Sequence, residues 1–249
     1  MREILLYFSL LYNGSFDDIY KALENKEQVD YDKLNQWKRE MDFDYITILD
    51  EDYPEALKLI SFPPFVLFYK GNKEYLKEEM YSIVGMREAS DYGKTMALRI
   101  AESLSSHSIG VVSGMARGID AYSHIGSMNS NGKTIAVLGC GINYCYPKEN
   151  RELYERLCRD HLVLSEYPFS LKPRKDYFPK RNRIVTGLGK KLVVVESQRK
   201  GGSMISVGFA LEQGKDVLCV PQKFEINDGC NYLISLGAKI LLSLDELYE

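Results

Sequence analysis

Cations and aromatic rings are interleaved between Lys172 and Arg183, where the chain reads KPRKDYFPKRNR. Lysine and arginine neutralise the phosphates of a nucleic-acid strand, and an aromatic face stacks on an unpaired base of any sequence. The segment therefore predicts binding of a single-stranded nucleic acid through its six cations and through Tyr177 and Phe178. Core packing of Tyr177 and a structural salt bridge at Arg183 are the open alternatives.

Glycine-rich loops follow four of the predicted strands, and two of these loops also carry an arginine, Arg87 or Arg117. Glycine lets backbone N–H groups approach a phosphate, the helix that follows adds a partial positive charge, and arginine forks suit phosphate oxygens. The alternative is that some of these glycines only make tight turns. The loops read Gly85-Met86-Arg87-Glu88-Ala89-Ser90, Ser113-Gly114-Met115-Ala116-Arg117-Gly118, Gly139-Cys140-Gly141 and Lys200-Gly201-Gly202-Ser203.

Several other chemistries find no support in the sequence. A GxGxxG motif does not follow the first strand, and GxxxxGK[ST] does not occur, which disfavours dinucleotide binding and a P-loop. The five cysteines form no CxxC pair, so neither a metal site nor a cofactor is expected. Asp120 and His124 are spaced to meet on one helix, but no nucleophile can be assigned beside them, so catalytic residues and enzyme activity are not expected.

Positive charge is concentrated in one part of the chain. The net charge is −3, yet residues 172–200 hold ten basic and two acidic residues. Residues 1–78 hold sixteen acids and ten bases. A basic region on an acidic protein favours a localised anionic ligand, with accidental clustering as the alternative.

The pattern of apolar segments predicts an α/β fold, a doubly wound and mostly parallel sheet with a small N-terminal helical region. Short, nearly continuous apolar strands alternate with helices after residue 60, as in parallel sheets covered on both faces. The domains are predicted as 1–60, helical, and 61–249. The short apolar run at the N-terminus and the unpaired cysteines favour a cytoplasmic protein without a membrane partner. Predicted strands are Phe65–Tyr69, Tyr81–Val84, Ile109–Val112, Thr134–Leu138, Leu162–Ser165, Lys191–Glu196, Asp216–Val220 and Lys239–Leu242; predicted helices include 91–106, 118–130, 149–160, 203–213 and 229–236.

Several ordered segments resemble the DNA-processing protein A family (DprA, also called Smf). They include VGMREASDYG (84–93), SGMARGIDAYSH (113–124), FPKRNRIVTGL (178–188) and GGSMIS (201–206). The resemblance covers about residues 47 to 246. It implies a Rossmann-like core without the C-terminal winged-helix domain of many members. It also implies a homodimer that binds single-stranded DNA, protects incoming DNA and loads the RecA recombinase during natural transformation.

The resemblance also assigns individual residues. Arg87 matches a family arginine that contacts DNA, Lys175 matches a lysine beside the RNR motif, and Phe178 matches an aromatic residue that stacks on a base. The remaining residues implied in the nucleic-acid site are the RNR residues Arg181, Asn182 and Arg183 and the loop residues Gly85, Gly114, Arg117, Gly118, Gly201, Gly202 and Ser203.

Two alternative functions use the same glycine loops. The first is hydrolysis of the N-glycosidic bond of nucleoside monophosphates, which requires a carboxylate near the ribose. In KGGSMISVGFALEQG the acid arrives late, at Glu212, and no proline precedes the glycines. The second is a nucleotide sensor that binds a mononucleotide without turnover.

Overall fold

The computed structural model describes residues 1–224 and 229–248, and nine strands of these residues form one sheet in the order β1-β2-β6-β5-β4-β3-β7-β8-β9. Strands β3 to β9 pair in parallel, whereas β2 pairs antiparallel with both β1 and β6. The strands are β1 (Asp44–Thr47), β2 (Val66–Gly71), β3 (Met80–Gly85), β4 (Gly110–Ser113), β5 (Thr134–Leu138), β6 (Leu162–Ser165), β7 (Lys191–Glu196), β8 (Asp216–Cys219) and β9 (Lys239–Ile240).

Helices cover both faces of this sheet, which explains why the central strands β4 to β7 are buried throughout. Capping side chains fix where some helices begin: the Asp30 carboxylate accepts the Lys33 N–H, and the Ser90 hydroxyl accepts the Gly93 N–H. The helices are α1 (Arg2–Leu11), α2 (Phe16–Glu24), α3 (Tyr31–Glu40), α4 (Glu55–Lys58), α5 (Asp91–Ser106), α6 (Ile119–Asn129), α7 (Arg151–Asp160), α8 (Tyr177–Leu188), α9 (Ser203–Glu212) and α10 (Gly229–Ser235).

The structure confirms the predicted α/β class and the doubly wound sheet. The predicted alternation of strands and helices did not include α8, which carries the basic and aromatic segment. Strand β1 lies before residue 60 and belongs to the same sheet as the later strands. A division at residue 60 remains a prediction. No helix among the residues described has the length and apolar composition needed to cross a bilayer.

The strand order reverses at β3, which lies between β4 and β7. The connections that leave β3 and β7 therefore diverge, and they open a crevice at the carboxyl ends of the strands, where ligands of such sheets bind. Helix α8 connects β6 to β7 across this part of the sheet and packs against α9. Its first turn lies at the same edge as the crevice, with Phe178 beside Gly139 in the connection after β5.

Candidate nucleic-acid interface

A cavity of about 770 Å³ occupies this crevice. We call it the glycine-loop cavity, because the loops after β3, β4 and β7 line it together with the first turn of α8. The structure brings most of the predicted site residues together here. The predicted residues that line it are Gly85, Arg87, Gly114, Arg117, Lys175, Phe178, Arg181, Asn182, Gly201, Gly202 and Ser203.

The Phe178 ring lies at the surface of the glycine-loop cavity, half-buried, with the guanidinium of Arg87 over it. The guanidinium carbon is 5.2 Å from the ring centroid. Gly139 is another close neighbour, where a Cβ would lie 2.7 Å from Cδ1 of the ring. Glycine at position 139 therefore lets α8 approach the end of β5 and sets the position of the ring.

Three cations line the cavity with exposed side chains, Arg87, Arg117 and Lys175. They come from the loop after β3, the loop after β4 and the segment before α8. Three separate parts of the chain therefore deliver cations to one cavity, where they form a rim beside the Phe178 ring that also includes the exposed Glu88. Such a rim attracts an anionic ligand.

Arg181 differs from these cations because it is buried beneath the cavity. Its guanidinium donates to the Val137 carbonyl oxygen, and its Nε donates to Oδ1 of Asn182 at 3.2 Å. Burial lowers the pKa of Arg181, while the nearby Asp120 carboxylate opposes this change. Burial also raises the pKa of Asp120, against the effect of Arg181. Arg181 is therefore a fixed positive group in the floor of the cavity and not a mobile arm.

Gly114, in the loop after β4, lies against the side chain of Arg181. A Cβ at this position would collide with the Arg181 guanidinium and with the Asp120 carboxylate. The Asp120 carboxylate in turn accepts the Ala116 N–H at 3.2 Å, which holds the loop that carries Arg117. Glycine at position 114 thus leaves the space that these two buried charged side chains occupy beside the loop.

Arg183 lies outside the glycine-loop cavity. Its Nη2 donates to Oε1 of Glu166 at 2.6 Å in a buried salt bridge, and its Nε donates to the Phe62 carbonyl oxygen at 2.9 Å. The structure therefore supports the alternative stated for this residue, a structural salt bridge. It ties α8 to the segment before β2.

Gly118 is also absent from the lining residues and lies beneath the loop after β3. Its φ of +70° is one that side chains rarely adopt, and a Cβ there would collide with the Met86 carbonyl oxygen. The Ile119 N–H donates to the same oxygen at 3.1 Å. Gly118 thus joins the loop after β4 to the loop that carries Arg87.

Gly201 and Gly202 directly precede α9, which begins at Ser203, and all three residues line the cavity. The Ser203 hydroxyl is buried 2.7 Å from that of Ser197, which fixes the loop after β7. A Cβ at Gly202 would meet nothing within 4 Å, and φ there is −61°. Packing does not require glycine at position 202, so its effect is to keep the surface at the start of α9 open.

The net positive charge of residues 172–200 overstates what reaches this surface. Lys191 is buried and donates to the Leu247 carbonyl oxygen at 3.1 Å. Arg174 pairs with Asp176 at 3.1 Å, and Lys190 pairs with Glu79 at the same distance. The sequence alone cannot distinguish these buried or paired cations from the exposed cations of the cavity, because burial and pairing depend on the fold.

Asp120 and His124 do not form the pair that their spacing allowed. The Gly114 carbonyl oxygen can only accept, so Nε2 of His124 donates to it at 2.7 Å, and Nδ1 faces the Thr134 hydroxyl at 2.6 Å. Burial lowers the pKa of His124 to about 4, so the ring is neutral near pH 7. His124 supports the loop that carries Gly114.

Sequence reasoning missed Tyr146, which follows β5 and lines the glycine-loop cavity. Its ring is 39% exposed and its centroid lies 5.6 Å from that of Phe178. The available signal was its position, because the connection after β5 ends at the same sheet edge as the glycine loops. Glu212, the acid considered for hydrolysis of nucleoside monophosphates, lies at the end of α9, where it contacts Ser61.

These features define a Rossmann-like α/β protein with a cationic ligand cavity at the switch point of its sheet. The model of one family, DNA recombination-mediator protein A, matches residues 44–249. The chain belongs to this family. It spans from about half to about four fifths of the length of several relatives that it matches.

Two relatives carry the name DNA processing protein DprA. The protein of Streptococcus pneumoniae is 40% identical over 203 residues, which are 81% of this chain and 72% of the relative. The protein of Bacillus subtilis is 38% identical over 234 residues, which are 92% of this chain and 79% of the relative.

Solved structures lead to the same family. The crystal structure of DNA processing protein A from S. pneumoniae superposes with a TM-score of 0.85 at 35% identity, covering 100% of this chain and 92% of that one. DNA processing protein A from Helicobacter pylori, whose structure was described for its single-stranded DNA binding mode, gives 0.76 at 27% identity over 83% and 94%. A molybdenum cofactor binding protein from Rippkaea orientalis shares only the fold, with a TM-score of 0.51 at 14% identity.

Proposed function

We propose that this chain binds single-stranded DNA in the glycine-loop cavity and acts as a recombination mediator that loads RecA onto the bound strand. The observation that carries the proposal is the pair formed by Arg87 and Phe178, a cation and a half-buried aromatic ring that both line one cavity at the switch point of the sheet. Family membership and the relative described for its single-stranded DNA binding mode support it.

The proposed contacts divide between phosphates and a base. Arg87, Arg117 and Lys175 meet phosphates, and the Phe178 ring stacks on an unpaired base. The Arg87 guanidinium now occupies the place over the ring that a base would take. Binding therefore requires that Arg87 move from the ring to an adjacent phosphate while the base replaces it. A duplex cannot offer such a base without being opened, so single strands should bind more tightly.

A binding measurement tests this proposal. Fluorescence anisotropy of a labelled oligothymidine should show binding by the wild-type protein and weaker binding to a duplex of the same length. Phe178→Leu keeps an apolar side chain but removes the stacking face, and it should weaken binding by about 5- to 150-fold, the equivalent of about 1–3 kcal/mol. Arg39, an exposed arginine of α3 that does not line the cavity, provides the control Arg39→Ala.

Two results would contradict the proposal. If the wild-type protein and Phe178→Leu bind the single strand with equal affinity, stacking of a base on Phe178 is refuted. Tight binding of a mononucleotide with no binding of the oligomer would favour the nucleotide-sensor alternative. Release of free base from nucleoside monophosphates would favour the hydrolase alternative and contradict the expectation that the chain is not an enzyme.

Delivery of the strand to RecA needs a separate assay. We expect the protein to increase the rate at which RecA nucleates on DNA covered by single-strand binding protein, measured as DNA-dependent ATP hydrolysis by RecA. Phe178→Leu should lose this effect in proportion to its lost affinity, and Arg39→Ala should keep it. Stimulation that survives loss of DNA binding would contradict the mechanism.

We also propose that the chain acts in the cytoplasm as a homodimer. Support for the dimer comes from the edge strand β9, which is flanked in sequence by Leu236 and Leu242 with exposed side chains. Sedimentation equilibrium should give twice the mass of the chain. A monomer at micromolar concentration would contradict this part of the proposal.

A further inference from the structure

A second, smaller cavity of about 390 Å³ adjoins the glycine-loop cavity. We call it the tyrosine cavity, because Tyr144 and Tyr146 of the connection between β5 and α7 line it. The two cavities adjoin along several residues that line both of them, and we call these shared residues the boundary. These shared residues are Arg87, Ala116, Arg117, Tyr146, Phe178 and Arg181.

Two aromatic rings form part of this boundary. The centroids of Tyr146 and Phe178 are 5.6 Å apart and their planes are inclined by 42°. Rings at this inclination do not stack face to face, so their faces point in different directions from the line where they meet. Each ring can therefore offer a face to a separate ligand group.

The lining of the tyrosine cavity combines flat apolar and aromatic surfaces with the three arginines of the boundary. Met115, Pro147 and Pro173 line it beside the tyrosines, with Lys148 and Glu149 exposed at its edge. A volume of about 390 Å³ lies at the small end of the range for ligand sites. A nucleobase fits against the apolar and aromatic surfaces, and the arginines of the boundary are placed to meet the phosphate attached to it.

We propose that the tyrosine cavity is a second base subsite and that the two cavities hold consecutive unpaired bases of one DNA strand, one on either side of the boundary. Tyr146 provides the stacking face for the second base, as Phe178 does for the first. Arg87 and Arg117, which line both cavities, meet the phosphate that links the two nucleotides. This inference rests on the proposed single-stranded DNA binding and deepens it.

The test uses oligonucleotides that are abasic except at one position or at two adjacent positions. For the wild-type protein, the second base should tighten binding by about 5- to 150-fold, the equivalent of stacking one more base. Tyr146→Leu should abolish this gain, which is measured within each variant as the ratio of its affinities for the two oligonucleotides. Tyr146→Phe keeps the stacking face and should keep the gain, which also controls for folding.

The results separate this inference from the proposed function. If Tyr146→Leu keeps the full gain from the second base, the second subsite is refuted, while weaker binding by Phe178→Leu still supports the first. If the wild-type protein binds neither oligonucleotide, both are refuted.

A spectroscopic readout is independent of affinity. Trp37 of α3 is the only tryptophan of the chain, so Tyr146→Trp adds one indole at the subsite. The two-base oligonucleotide should quench this indole more than the one-base oligonucleotide does. Equal quenching by both would count against a second stacked base.

Discussion

Replacing Arg87 by glutamine should lower the salt dependence of single-stranded DNA binding by a defined amount. A strand releases counterions when protein cations replace them, and the slope of log K against log salt concentration is about −0.7 per phosphate neutralised. Arg87, Arg117 and Lys175 are the exposed cations among the predicted residues of the glycine-loop cavity. Three phosphate contacts give a slope of about −2, and two give about −1.4.

The difference is large enough to measure. Between about 50 and 200 mM salt, a slope of about −2 lowers affinity by roughly 16-fold, and a slope of about −1.4 lowers it by roughly 7-fold. Fluorescence anisotropy at four or more salt concentrations in this interval would resolve the two values. Arg39→Ala, which changes an arginine outside the cavity, should keep the wild-type slope.

Phe178→Leu provides the opposite result in the same assay. Stacking involves no counterion, so this variant should bind more weakly at every salt concentration with an unchanged slope. An unchanged slope in Arg87→Gln would show that Arg87 does not contact a phosphate. A changed slope in Phe178→Leu would show that the ring positions the cations instead of stacking, and the proposed division of contacts would be refuted.

Three further predictions concern the structure that supports the site. Burial lowers the pKa of His124 to about 4, whereas the pKa of histidine in the unfolded chain is about 6.5, so between these values the unfolded chain binds a proton that the folded chain does not. The free energy of unfolding should therefore decrease as the pH falls from about 6.5 to about 4, by on the order of 3 kcal/mol at pH 4. The free energy of unfolding of His124→Gln, measured from pH 7 to 4, should lack this decrease, and the same pH dependence in the wild-type protein and the variant would contradict it. Gly118→Ala should destabilise by about 1–3 kcal/mol in urea unfolding because of its φ of +70°, whereas Gly202→Ala should change stability little. Arg183→Met should lower the free energy of unfolding by about 3–5 kcal/mol, because it leaves the Glu166 carboxylate buried and unpaired, and the DNA affinity of the folded protein should not change. A loss of DNA affinity without a loss of stability would instead place Arg183 in the interface.

The sequence predicted the doubly wound sheet because its strands are nearly continuous apolar segments with glycine loops after them. The order of the strands then fixes which loops meet, and so Arg87 and Gly201 line one cavity although they are far apart in the chain. Helix α8 was missed because the cations and prolines before and within its first turn resemble a surface loop. Its periodicity is hidden further by Arg181 and Arg183, which are buried.

The sequence could not show what each arginine of the RNR motif contacts. Arg181 and Arg183 are two residues apart and both are buried, yet one lines the cavity floor and the other pairs with Glu166. Which of them reaches the cavity depends on the direction of α8 across the sheet. Tyr146 was missed for a similar reason, because only the approach of α8 to Gly139 places Phe178 beside it.

The geometry of the cavity explains how a type of sheet that binds one dinucleotide in other proteins is suited here to a longer single strand of DNA. In dinucleotide-binding sheets, a GxGxxG turn closes over the pyrophosphate and an acidic residue fixes the ribose. Here the turn after β3 carries Arg87, whose side chain is exposed, and the aromatic face comes from α8. Contacts to phosphates and to base faces carry no sequence information. We therefore expect a strand to lie across the carboxyl edge with either end free, which is what delivery of a bound strand to a recombinase requires.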